Sequence, residues 1–212
     1  YDAGVWVNRK NGKALFNPLL MGSIFMIVFL NCFGVPYADY KSSAQPVSWL
    51  LMPATVSLAL PLYEKWELLE KNLAAIFASI AAGVLTSLGS VLAMAWLLKL
   101  ERAHAVSFLP KSVTTAIGMD VAETLGGTAA LAGAVIILTG IVGSLLGETV
   151  CKICRITDPL AKGLALGTSA HAIGTSKALQ MGEIEGAMSG LAIAVAGIMT
   201  AILAPVAANF LP

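Results

Sequence analysis

Charged residues gather along this chain in short groups, and the stretches between the groups carry none. Residues 14–38, 42–63, 72–98, 124–147 and 186–212 lack Asp, Glu, Lys and Arg altogether. Each exceeds the ~20 residues a helix needs to cross about 30 Å of hydrocarbon. In lipid a spanning segment must satisfy its own backbone groups, so such runs predict helices. A β-barrel would instead show alternating segments of about ten residues, and none occur. The pattern predicts an all-α, polytopic transmembrane helical bundle. It forms a single domain over 1–212 with about five full spans, the first near 14–33 and the second near 45–63.

Two stretches depart from the pattern: 103–122 (AHAVSFLPKSVTTAIGMDVA) and 161–182 (AKGLALGTSAHAIGTSKALQMG). Both are moderately apolar, rich in Ser and Thr, and interrupted by Pro110 or by Gly167 and Gly174. Pro cannot donate a helical hydrogen bond and Gly weakens a continuous helix, so each segment is expected to be broken or re-entrant. Irregular backbone at membrane depth persists where protein buries it or where it lines a cavity. The two also resemble each other at an offset of 56. Ala116-Ile117-Gly118 falls on Ala172-Ile173-Gly174, Ser112 on Thr168, Ala122 on Ala178 and Gly126 on Gly182. The same offset brings the span 72–98 over the one near 124–150. A shorter match relates Pro53–Pro61 to 110–118. Paired broken segments in two halves point to a transporter's midplane site, and an odd number of crossings between them makes an inverted repeat.

Composition agrees. Of 212 residues 58% are hydrophobic and 12% charged, about half the ~25% typical of soluble domains. A net charge of +1 leaves no nucleic-acid footprint. With both broken segments returning to the side they enter from, nine Lys/Arg lie on one side and Lys41, Lys99, Arg102 and Lys111 on the other. The positive-inside rule makes the richer side cytoplasmic. The chain starts at Tyr1 without an initiator Met or signal-peptide pattern, so a processed N-terminus hiding one more span is expected. Cys151 and Cys154 form a lone C-x-x-C without nearby His ligands, a poor zinc or redox site, and Cys32 is expected in packing.

The candidate chemistry lies in the broken segments. Lys111 stands beside Ser112, Thr114 and Thr115; Lys177 stands beside Thr168, Ser169, Thr175 and Ser176. An ionisable group inside a membrane usually faces a cavity or a partner, although a lysine at a helix end also snorkels to the interface. His171 sits among small polar neighbours in GTSAHAIGT, where it either fills the core or contacts substrate and carries a proton; an unperturbed imidazole titrates near pH 6.5. His104 is expected to be solvated. Asp120, Glu123, Glu183 and Glu185 are read as loop charges, and Glu148 as a partner for Lys152. No G-x-S-x-G, H-E-x-x-H or phosphate loop is present, so catalysis, metal and cofactor are not expected. Half-helix N-termini, hydroxyls and a lysine suit a small anion, such as a compact carboxylate bearing hydroxyl or keto oxygens.

The blocks FNPLL (16–20), LLMPATVSLALPLY (50–63), LPKSVTTAIGMD (109–120) and AKGLALGTSAHAIGTSKALQMGEIEGAMSGLA (161–192) resemble the LrgB/CidB family of bacterial membrane proteins. The resemblance implies a multi-pass protein of the bacterial inner membrane with a hydrophobic segment ahead of Tyr1. It implies one of two functions. One is antiholin-like regulation of murein hydrolase export and cell lysis. The other is transport of small monocarboxylates: pyruvate in bacteria, glycolate and glycerate in the related plastid translocator. The residues favour transport, because a holin-like lesion needs no hydroxyl-rich broken segments. The partner implied is a small LrgA/CidA-like membrane protein, and a homo-oligomer is expected.

Overall fold

A computed structural model describes residues 18–50, 53, 56, 63 and 66–212, and no strand occurs among them. The chain forms two compact units, residues 1–58 and 59–212. In the first, α1 (Pro18–Cys32) is followed by the short α2 (Tyr37–Ser43) and α3 (Gln45–Trp49). Gly34 takes φ +62 at the end of α1, and the Val35 amide bonds the Leu30 carbonyl at 3.0 Å. This left-handed closure satisfies a carbonyl that the helix leaves open. Cys32 is exposed there rather than packed. Most of the second expected span, and of Pro53–Pro61, lies outside the described residues.

The second unit runs α4 (Trp66–Lys71), α5 (Leu73–Leu98), α6 (Arg102–Phe108), α7 (Thr115–Thr124), α8 (Ala129–Ile153), α9 (Pro159–Met181) and α10 (Glu183–Ala208). Of these, α5, α8 and α10 are long and apolar enough to cross a membrane, the three such helices among the described residues. Ile76, Ile80, Val84, Leu88, Val91 and Ala95 recur every three or four residues along α5 and form its buried stripe. The stripe packs with Met188, Ala192 and Ala196 of α10 and with Ala105, Val106 and Leu109 in one core. The other faces carry Leu85, Leu97 and Ile198, with Leu97 81% exposed, a surface suited to lipid.

The offset of 56 reappears in the backbone. Leu73–Leu98 and Ala129–Ile153 start 56 residues apart. Both close the same way: Lys99 and Arg155 take φ +51 and +55. The Leu100 amide bonds Ala95 O at 3.0 Å and the Ile156 amide bonds Cys151 O at 2.8 Å. In the segments that follow, a Cβ on Gly118 would meet Pro110 O at 3.2 Å, and one on Gly174 would meet Leu166 O at 2.5 Å. Residues eight apart in a continuous helix are ~12 Å apart along its axis. The chain therefore doubles back twice, at 109–114 between α6 and α7 and at His171 within α9.

Neighbours fix the directions. Gly147, Gly143 and Gly140 of α8 pack on Leu166, Ala170 and His171, so the first half of α9 runs against α8. Gly163 and Gly167 pack on Glu185 and Ser189, which sets that half parallel to α10. Gly186 packs on Leu179, which sets the second half antiparallel to it. The second broken segment thus enters where α8 ends and α10 begins, and turns near the middle of both. The first enters at the other end, where Trp96 Nε1 donates to Phe210 O at 2.9 Å. It reaches Ser87, midway along α5.

Both broken segments predicted from sequence are present, but the second breaks elsewhere. Gly167 and Gly174 are helical and serve close packing, because a Cβ on Gly167 would overlap the Ser189 backbone. The break falls on His171 itself, at φ +43 and ψ −139. Glu183 and Glu185, expected in a loop, form the first turn of α10, where carboxylates complement the helix dipole; Asp120 and Glu123 likewise lie on α7.

Candidate functional site

A cavity of about 850 Å³ lies between α5, α8, the turn at 109–114 and the first half of α9. Its two long walls use matching positions. Ser79, Ala82, Gly83, Thr86 and Ser87 of α5 line it, and so do Val135, Leu138, Thr139, Val142 and Gly143 of α8, each 56 residues on. Ser112 in one broken segment and Thr168 in the other are a sixth such pair. The positions match but the chemistry does not: the α5 wall is hydroxylic and the α8 wall apolar except at Thr139.

Lys111 is the one ionisable residue among those lining the cavity. Its Nζ donates to Ser87 Oγ at 3.1 Å and Ser112 Oγ at 3.3 Å, and those hydroxyls lie 3.0 Å apart. An ammonium carries three hydrogens and each hydroxyl one. With two N–H and one O–H engaged inside this cluster, one N–H and one O–H are left over. That pair matches the two oxygens of a carboxylate.

Thr168 lines the same cavity, 6% exposed, and its Oγ1 is the buried side-chain polar atom without a partner among the described residues. Other hydroxyls of α9 bond the carbonyl four residues back: Ser169 to Ala165 at 2.7 Å, Thr175 to His171 at 3.1 Å, Ser176 to Ala172 at 3.2 Å. Thr168 does not. A buried hydroxyl without a partner costs about 1–3 kcal/mol, so its presence in the wall favours a ligand that completes it.

Of the residues singled out from sequence, the cavity gathers Lys111, Ser112, Thr168 and Ser169. The remainder sit elsewhere. Thr114 caps α7 and Thr115 begins it, near Gly133 of α8. Thr175 bonds Ser189 Oγ at 2.7 Å and ties α9 to α10, and Ser176 is exposed. His171 is buried with Nε2 2.9 Å from Ile136 O, so it carries a hydrogen on that nitrogen and anchors the chain reversal to α8. Lys177 pairs with Glu148 at 2.8 Å, and Lys152 shares that carboxylate at 2.9 Å. The Glu148–Lys152 pair was legible from spacing; the stronger claim of Lys177 was not. His104 is exposed, 3.5 Å from Glu101. Sequence reasoning missed Ser79, Thr86, Ser87, Ser90 and Thr139. Their signal was available: Ser79, Thr86, Ser87 and Ser90 fall on one face of an apolar helix.

Long apolar helices, two chain reversals arriving from opposite ends and a cavity between them define an all-helical membrane protein with an internal cavity. The LrgB-like family model matches residues 1–210, and the chain belongs to that family. The antiholin-like protein LrgB of Bacillus subtilis (strain 168) is 35% identical over 207 residues, covering 97% of this chain and 90% of that relative. No solved structure matches.

Proposed function

We propose that the protein carries small monocarboxylates of the pyruvate, glycolate and glycerate class across the bacterial cell membrane, and that it has no hydrolytic activity. The observation that carries this reading is Lys111. Its ammonium faces the cavity with two hydroxyls for company and no carboxylate among the lining residues. A charge held in low-dielectric surroundings without a counter-ion calls for an anion to enter. The 56-residue correspondence supports an inverted repeat within a five-span fold, and alternating access follows if the two halves exchange conformations around the cavity. A homo-oligomer and an LrgA/CidA-like partner belong to the same proposal.

Proteoliposome counterflow of labelled pyruvate, glycolate and glycerate, with and without such a partner, tests it. Saturable uptake lost in Lys111→Met is expected. A non-saturating leak of solutes much larger than glycerate, unchanged in that variant, would overturn the carrier reading.

A second reading rests on the relative's name. A protein 35% identical is called antiholin-like, which supports a role in controlling lysis and murein hydrolase export. That reading predicts altered autolysis on deletion that Lys111→Met fully complements.

A further inference from the structure

Four hydroxyl hydrogens of the cavity wall are already assigned. Ser79 donates to Ala75 O, Thr86 to Ala82 O, Ser90 to Ser87 O and Ser169 to Ala165 O, all at 2.7 Å. A hydroxyl has one hydrogen, so what these side chains offer a ligand is lone pairs. On the side of the broken segments free donors occur at two levels: the Lys111 cluster, level with Ser87, and Thr168, whose methyl group abuts Gly83; on α8, Thr139 adds a hydroxyl that no other group among the described residues engages. Four residues along α5 separate the two levels, which is ~6 Å. Thr86 lies between them on the same wall, and its counterpart across the cavity is the apolar Val142.

A carboxylate on the Lys111 cluster places its neighbouring carbon at this height. An oxo group on that carbon accepts from Thr168 and leaves Thr86 Oγ1 facing another acceptor. A hydroxyl accepts from Thr168 and donates to Thr86, so both partners are completed. Resting on the carrier reading above, we infer that the cavity selects 2-hydroxy carboxylates over their 2-oxo analogues, with Thr86 as the specificity-determining acceptor. The difference is one hydrogen bond, worth about a tenfold preference.

Binding of labelled DL-lactate and of labelled pyruvate to the full-length protein in lipid nanodiscs tests this, because the two differ at that carbon alone. Lactate should bind about tenfold more tightly. Thr86→Val should bring lactate to the pyruvate value and leave pyruvate within about twofold, while Thr86→Ser, which keeps the acceptor, retains the preference. Lys111→Met should lose both ligands. Equal binding of the two by the wild type, still dependent on Lys111, overturns the selectivity and leaves the carrier standing. A lactate preference that survives Thr86→Val overturns the role of Thr86. Binding of neither ligand overturns the carrier reading and this inference with it.

Discussion

Positions 111 and 167 stand 56 residues apart, one in each broken segment, and hold opposite residues. At 111 a lysine reaches into the cavity; at 167 a glycine lies so close to the Ser189 backbone that no Cβ fits. The difference is α10. The second broken segment is wedged between α8 and α10, with glycines on both sides, whereas the turn at 109–114 faces Ser87. One half therefore carries the charge and the other the close packing. The second half's own lysine, Lys177, is neutralised by Glu148 away from the cavity. A shared offset does not imply a shared site: chemistry survives only where packing leaves room.

The largest expected effect is on folding. Gly167→Ala should cost about 2–3 kcal/mol by forcing α9 and α10 apart, whereas Lys111→Ala should leave stability within about 0.5 kcal/mol. Thermal unfolding in detergent measures both, and equal losses would break the comparison. Thr168→Val sharpens it through opposite signs. Removing the orphan hydroxyl should raise stability by about 1 kcal/mol, yet weaken anion binding by the 1–3 kcal/mol of a lost partner, roughly five- to hundredfold. At the reversal, His171→Gly should be less damaging than His171→Ala by about 1 kcal/mol, since both lose the bond to Ile136 but glycine alone takes φ +43 without strain. The unfolding midpoints decide it. Smallest is Lys177→Met. That pair is partly solvated, with its side chains 27% and 39% exposed, so stability should fall by less than about 1 kcal/mol and anion affinity should not change.

What could be read from sequence was local or periodic. Charge-free runs gave the long helices, and the Ala-Ile-Gly match gave an offset that the caps at Lys99 and Arg155 repeat. Pro110 marked the first break, because a missing amide acts on its own neighbourhood. His171 did not mark the second: it takes a positive φ while held by a carbonyl 35 residues away, and nothing nearby encodes that. The fate of Lys177 was hidden for the same reason, its partner lying on another helix. Thr86 and Ser90 escaped notice because each bonds its own backbone and so reads as a neutral resident of an apolar span. Six of the ten residues singled out from sequence lie away from the cavity, because hydroxyl density along a segment is not proximity: the chain reversal at His171 carries Thr175 and Ser176 away from Thr168.

The caps at Lys99 and Arg155 bear on how the chain is threaded during synthesis. A left-handed residue is most easily a glycine, as at Gly34, and a side chain there costs ~1 kcal/mol. Both positions instead expose a basic side chain just after a long apolar helix, a placement suited to lipid headgroups. Because α5 and α8 run in opposite senses, the anchors fix on opposite leaflets and cancel as orientation signals. Neither half can therefore dictate which way the bundle faces during insertion. That decision falls to unbalanced charge elsewhere, such as Arg9, Lys10 and Lys13 ahead of the charge-free run 14–38.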